Sequence, residues 1–422
     1  MTVSAFTALF VVFVLAALAW RVWLGVRQAR HVMRHRDEVP SDFAGIVTLD
    51  AHRKAADYTL DKQRVGLVEA IAIDGALLLV LTVGGGLAAV DAASRELFGE
   101  GTFRELGTIY GVMGIGMLAA LTFDAWRTFV IEARFGFNRT TLPVFLGDLV
   151  KGVLISMALG VPLLLLVFWF VRAAGNLWWV YTWLVWIGFT MLLVTIFPRW
   201  IAPLFNKFTP LEDGELRRRI QRLLERCGFR AEGLFVMDGS KRSSHGNAYF
   251  TGFGKTKRIV FFDTLMQRLT PEEIEAVLAH ELGHFARGHI PRLLAVRFLL
   301  ALVLLGVLGW LFREPAFYRA LGFTEPHIGA ALAGFALLLP AFTFPFQPLA
   351  SIIARKQEFE ADAFAATHAS ATDLASALAK LYRDNASTLT PDPLHSLVYD
   401  SHPPASIRLA HLRRGREAPS PL

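Results

Sequence analysis

Residues Thr270–His289 read TPEEIEAVLAHELGHFARGH. Thr270 suits a helix N-cap, Pro271 the first helical position, and Glu273 completes a capping box. Ile274, Val277 and Leu278 then lay down an apolar stripe. The stretch therefore predicts a helix, and on a helix positions i and i+4 share a face. His280 and His284 form such a pair within H-E-x-x-H, with Glu281 after the first histidine. Two imidazoles one turn apart can hold one metal ion, and Glu281 can then serve as a base at the metal's open coordination position.

A catalytic zinc commonly takes three protein ligands. A second stretch, Arg355–Ala365, reads RKQEFEADAFA and places Glu358 and Asp362 at i and i+4 of another helix. Glu358 is the candidate third ligand. Asp362 can accept a hydrogen bond from a ligating histidine and fix its ring. Glu360 falls on another face. His289 is a rival ligand, but five residues past His284 on a continuous helix it turns away from the shared face.

The surroundings of these motifs are apolar. Of 422 residues 54% are hydrophobic, and the mean hydropathy is +0.43. This excludes an ordinary soluble enzyme and predicts an integral, multi-pass membrane protein. Apolar runs near 5–25, 67–90, 108–130, 150–172, 177–197, 293–312 and 328–349 give about seven spans. The first looks like an uncleaved anchor, because Arg21, Arg27, Arg30, Arg34 and Arg36 follow it and no basic residue precedes it. Arg217, Arg218, Arg219, Lys241, Arg242, Lys255 and Lys257 lie in the long segment after the fifth run. By the positive-inside rule that segment and the C-terminus face the cytoplasm. The excess of Arg over Lys points to a GC-rich bacterial genome, hence the inner membrane; a eukaryotic source would imply the endoplasmic reticulum. The net charge of +7 reflects such loops, since no basic-aromatic tract suggests nucleic acid as a partner. A single cysteine, Cys227, excludes an intramolecular disulfide.

The expected fold is mostly α, with about seven membrane helices and a small α+β metalloprotease domain. The expected division is 1–200 (five membrane helices), 201–292 (the α+β catalytic domain), 293–350 (helices six and seven) and 351–422 (the third-ligand helix and C-terminal region). Within 201–292, Leu234–Met237, Ala248–Phe250 and Ile259–Phe262 read as strands, with turns at Gly239, Gly246, Gly252 and Gly254. Glu215–Cys227 reads as a basic amphipathic helix, lying on anionic headgroups or presenting a solvated charged face. Glu69, Asp74 and Asp124 interrupt apolar spans, as helix-to-helix hydrogen-bonding groups or as the lining of a hydrated cavity. The tail from about Arg413 reads as disordered.

Taken together these stretches resemble the type I CAAX prenyl proteases. The matching segments are KAADYTLDK (Lys54–Lys62), IEARFGFNRTT (Ile131–Thr141), DGSKRSSHGNAYFTGFGKTKRIVFFDTL (Asp238–Leu265), HELGHFARGH (His280–His289), EFEAD (Glu358–Asp362) and DPLHSLVYDSHPPASIRL (Asp392–Leu409). The resemblance implies one Zn2+ held by His280, His284 and Glu358, with Glu281 as catalytic base and Asp362 supporting a ligand. It also implies that Asn247 and Ala248 belong to a substrate-aligning edge strand, that His402 stabilises the tetrahedral intermediate, and that Arg408 is its structural partner. Helices around a hydrated chamber and a prenylated, membrane-held peptide or protein substrate follow from the same resemblance. Glu360 departs from the amide expected in many relatives. Two other functions compete: a general membrane quality-control metalloprotease, whose relatives have fewer spans, and a non-enzymatic scaffold or transporter with a relict site. The intact Glu281, Glu358 and His402 weigh against the second.

Overall fold

The apolar runs form long helices in the computed structural model, which describes residues 2–252 and 257–414. The turn expected at Gly254, the charge at Lys255 and the tail beyond 414 lie outside these residues. Six helices are long and apolar enough to cross a bilayer: Val3–Arg34, Thr102–Glu132, Leu142–Ala173, Gly175–Leu204, His289–Leu311 and Ile328–His368. A seventh span results if Leu49–Leu81 and Gly86–Phe98, bent by 60° at their junction, count as one. The bend falls where Gly85 takes φ +77°, a left-handed conformation natural to glycine. The polar stretch before that span is itself helical from Leu49, with Thr48 capping it through the Ala51 amide.

Charges inside the spans pair across helices. Asp74 meets Arg21 and Arg127 meets Glu69, while Asp124 pairs with Arg127 at 3.3 Å within its own span. A cavity of about 660 Å³ opens among the same helices, with Arg21, Gln63, Asp74 and His395 on its polar side. The charges therefore pair with one another, and Arg21 and Asp74 also line this cavity. Pairing lowers the cost of a charge in an apolar layer, and one pair faces the cavity.

The sheet has four strands in the order β1-β2-β4-β3. β2 (Gly233–Met237), β3 (Ala248–Thr251) and β4 (Arg258–Phe262) coincide with the predicted strands to within one residue, and β1 (Phe208–Pro210) is additional. β2 and β4 run parallel; β3 pairs antiparallel with β4 and forms an edge. The core beneath combines Ile259 and Phe261 of β4 with Ile274 and Leu278 of the H-E-x-x-H helix. It also takes Phe43 and Val47 from the N-terminal half and Leu374 and Leu409 from the C-terminal helices.

The amphipathic helix, Glu215–Arg226, buries Ile220, Leu223 and Leu224 in that core. Its Arg219 pairs with Glu275 at 3.0 Å and its Arg226 with the same carboxylate at 2.8 Å. The basic face is thus partly spent on the metal-binding helix. Arg413 belongs to the helix Ala405–Arg414 and contacts Asp42.

Candidate active site

The H-E-x-x-H helix spans Pro271–Ala286 and begins with the expected capping box. Thr270 Oγ1 accepts from the Glu273 amide at 3.3 Å, and Glu273 Oε2 accepts from the Thr270 amide at 2.9 Å. Glu273 also takes hydrogen bonds from Ser376 and Lys380, so the cap anchors the helix to Ala371–Asp384. Its other side crosses Gln347–His368, the helix carrying Glu358 and Asp362. Gly283 makes that crossing possible. A Cβ there would stand 2.9 Å from the Ala361 Cα and 3.0 Å from the Phe364 Cβ. Close approach at Gly283 and Ala361 brings His280 and His284 against Glu358 and Asp362.

His280, His284 and Glu358 each offer a ligand atom, and these atoms lie within 4.8 Å of one another. His280 Nε2 and His284 Nε2 face each other at 3.4 Å. Glu358 Oε1 is 3.3 Å from His284 Nε2, and Oε2 is 3.5 Å from His280 Nε2. Oε2 is buried without a hydrogen bond; Arg408 Nη1 lies 3.3 Å from it as an ion-pair contact only. An orphaned buried carboxylate oxygen beside two convergent imidazole nitrogens is the donor set of a divalent transition metal. The residues present fit the metal that the motif implies.

The δ nitrogens are spent elsewhere. His280 Nδ1 is 2.8 Å from Asp362 Oδ1, and Asp362 is fully buried. Arg408 grips that carboxylate through Nε at 2.9 Å and Nη2 at 2.5 Å, a two-pronged ion pair. Burial opposes a charge on His280, yet the bonds to Asp362 and Glu358 prevail and push its pKa up to about 9. The site thus holds its first imidazole in a strongly basic setting.

Glu281 has no hydrogen bond or ion pair among the described residues. Burial raises its carboxyl above the ordinary value, which His280 and His284 counteract only in part. A carboxylate made more basic by burial suits proton transfer. His402 is exposed, with Nε2 3.4 Å from Glu358 Oε1 and Nδ1 2.9 Å from Ser401 Oγ. Arg408, expected as the partner of His402, makes its ion pairs with Asp362 and Glu358 and, among the described residues, has no hydrogen bond or ion pair to His402. Ala248 opens the edge strand opposite Phe261, and the Asn247 carbonyl accepts from the Phe262 amide at 3.0 Å. Just before it, Gly246 is clamped in both directions by Asn385, whose Oδ1 accepts at 3.1 Å and whose Nδ2 donates at 3.3 Å.

Two residues outside the expected site join it. The helix does not continue to His289: Gly288 takes φ +68° and a new helix starts at His289. The reversal returns His289 Nδ1 to within 2.9 Å of His284 Nδ1. His289 remains outside the group of three ligand atoms, but it contacts a member of it. Glu360, expected on an unrelated face, accepts from His289 Nε2 at 3.0 Å. Gly288 was the sequence signal for this break, since glycine commonly ends helices in the left-handed region. Nothing local in the sequence points to Asn385.

A body of membrane helices, with a histidine-histidine-carboxylate site on an H-E-x-x-H helix, defines a membrane metallopeptidase. Residues 28–207 match the family model described as CAAX prenyl protease N-terminal, five membrane helices, and residues 210–416 match peptidase family M48. The CAAX prenyl protease 1 homolog of Arabidopsis thaliana is 37% identical over 383 residues, covering 88% of this chain and 89% of that protein. CAAX prenyl protease 1 of Saccharomyces cerevisiae is 38% identical over 319 residues, covering 71% and 69% respectively. The crystal structure of S. mikatae Ste24p matches with a TM-score of 0.87 at 31% identity, over 96% of this chain and 98% of that one. The chain belongs to peptidase family M48, among the CAAX prenyl proteases, and is an integral membrane metalloendopeptidase.

Proposed function

We propose that the chain is a zinc-dependent endopeptidase that removes the C-terminal tripeptide from prenylated CAAX proteins or peptides. The observation that carries this reading is the convergence of His280 Nε2, His284 Nε2 and Glu358 within 4.8 Å, beside Glu281, which has no hydrogen bond or ion pair among the described residues. His280, His284 and Glu358 would hold the ion. When bound, zinc supplies Lewis-acid polarisation of the scissile carbonyl and of the attacking water. Glu281 accepts the proton of that water and passes it to the leaving amine, and burial makes its carboxylate more basic than an exposed one. With Nδ1 accepting the hydrogen bond of the Ser401 hydroxyl, His402 would carry its own proton on Nε2 and donate it to the oxyanion. Arg408 holds Asp362, and Asp362 holds His280. The outer edge of β3 would receive an extended peptide beside Asn247 and Ala248. The Asn247 carbonyl is spent on Phe262, so Ala248 would supply the pairing groups once its amide leaves Asn247 Oδ1, and Asn385 fixes the preceding Gly246.

The division into 1–200, 201–292, 293–350 and 351–422 is part of the same proposal, with the catalytic domain and C-terminus on the cytoplasmic face. A C-terminal reporter reading cytoplasmic and one near Gly99 reading external would agree with it; the reverse pattern would overturn it. For the activity, purified protein is incubated with a farnesylated CAAX peptide and an unprenylated control, with and without chelator. Chelator-sensitive cleavage of the farnesylated peptide alone is the expected result. Equal cleavage of both peptides would favour the quality-control reading.

A further inference from the structure

His284 has two ring nitrogens with different duties. Nε2 faces His280 Nε2 and Glu358, and a cation can bind it only through a bare lone pair. The ring proton must then sit on Nδ1. That nitrogen is 2.9 Å from His289 Nδ1, and two ring nitrogens bond only when one carries hydrogen and the other does not. With His284 donating, His289 accepts at Nδ1 and bears its own proton on Nε2. Nε2 is 3.0 Å from Glu360 Oε2, an ionised carboxylate oxygen that can only accept. Each atom in the sequence Glu360, His289, His284 then has a compatible role, and the order runs in one direction. The reverse assignment would place hydrogen on His284 Nε2, against the metal position.

We propose that His289 and Glu360 are positioning residues for His284: Glu360 fixes the tautomer of His289, and His289 fixes the tautomer and ring plane of His284. The proposal rests on the reading of His284 as a metal ligand. The arrangement parallels that of His280, whose Nδ1 meets Asp362 directly at 2.8 Å, but interposes one imidazole. His289 is suited to the task because it is almost fully buried, 3% exposed. Its position depends on the left-handed Gly288 that separates the two helices. The contact also joins three elements: the H-E-x-x-H helix, the membrane span beginning at His289 and the helix carrying Glu360.

The test uses the full-length protein in detergent. Zinc dissociation constants come from chelator competition, and thermal midpoints are recorded in excess chelator so that folding is monitored apart from metal. His289→Leu is expected to weaken zinc about 10–100-fold, the usual effect of losing a partner of a ligating histidine. Glu360→Leu should weaken it less, since His289 can still adopt the right tautomer without being held in it. His289→Asn should recover much of the loss, because its amide oxygen can accept from His284 Nδ1; Glu360→Gln should keep most of the affinity for the same reason at His289 Nε2. Glu360→Lys offers a donor where an acceptor is needed, and should fall below Glu360→Leu. Should His289→Leu fail to fold, the ranking of the three Glu360 variants decides the matter. Zinc held by His289→Leu as tightly as by the unsubstituted protein, or equal affinity across the Glu360 variants, overturns the proposal. His284→Ala serves as the control: retention of zinc there removes the ligand reading itself, and the proposal with it.

Discussion

Two buried clusters of histidine and carboxylate lie at the two ends of one helical rod, Ile328–His368. At its start, His327 stands between Glu105, at 3.1 Å from Nδ1, and Asp91, at 3.3 Å from Nε2. Asp91 also meets Arg104 at 2.6 Å and Thr108 at 2.8 Å, while Glu105 accepts from the Ile328 and Gly329 amides. Roughly 45 Å along the rod, at ~1.5 Å per residue, Glu358 and Asp362 meet His280, His284 and Arg408. The residue types are nearly the same. In the first cluster the histidine's Nδ1 is hydrogen-bonded, its Nε2 has only the ion-pair contact with Asp91 and no hydrogen bond, and the carboxylates are spent on an arginine, a hydroxyl and a helix N-terminus. In the second, the δ nitrogens are spent, the ε nitrogens converge, and Glu358 Oε2 has no hydrogen bond. Three ligand atoms converging on one point mark the site; burial, composition and a single atom without a hydrogen bond do not.

The sharpest separation of the two clusters is Glu281→Gln. It keeps the shape and removes the base, so kcat/KM on a cleavable peptide should fall by about two or more orders of magnitude. Metal analysis of the same variant should still give bound zinc. Asp362→Ala comes next, with an expected loss of about 10–100-fold in zinc affinity or turnover. Because Arg408 is then left buried without its carboxylate, part of the damage is to stability, and chelator competition on folded protein separates the two. His327→Ala should act in the opposite sense. Leaving Asp91 and Glu105 without their shared partner should lower the thermal midpoint, in line with about 3–5 kcal/mol for breaking a buried ion pair. Turnover per folded molecule should hardly change. A strong turnover defect at full thermal stability would make the first cluster functional.

The parts of the site that were legible in the sequence are those governed by local periodicity. Thr270 and Glu273 cap the helix as their spacing requires, and i, i+4 spacing pairs His280 with His284 and Glu358 with Asp362. The spans were legible because a bilayer demands long apolar runs. What escaped depends on backbone reversals and distant packing. His289 returns to His284 only because Gly288 breaks the helix, so a continuous-helix premise sent it the wrong way and left Glu360 without a role. The bend at Gly85 splits a run that reads as one span. β1 is three residues ending in Pro210, too short for alternation to register. Asn385 reaches Gly246 across 139 positions, and no local pattern encodes such a contact.

The smallest expected effect is a displacement of the pH profile, and it bears on the same contrast. Glu281 acts as a base only when ionised. Burial raises its pKa above the ordinary carboxylate value of about 4.3. Activity is therefore fully present above the raised value and is lost as pH falls through it, so the acid limb of kcat/KM should lie above the usual carboxylate range. Zinc binding has its own dependence, because a proton competes for His280, whose pKa is pushed up to about 9 by Asp362 and Glu358. Acidification should weaken metal affinity over a wider and higher range than it slows the loaded enzyme. Profiles recorded with zinc in excess isolate the first effect, and chelator competition at each pH isolates the second. Glu281→Gln should abolish the acid limb of the residual rate while leaving the pH dependence of zinc binding in place. His327→Ala should shift neither curve, since no group of its cluster touches the reacting atoms. An acid limb that survives in Glu281→Gln would assign the titration to another group and remove the argument from burial.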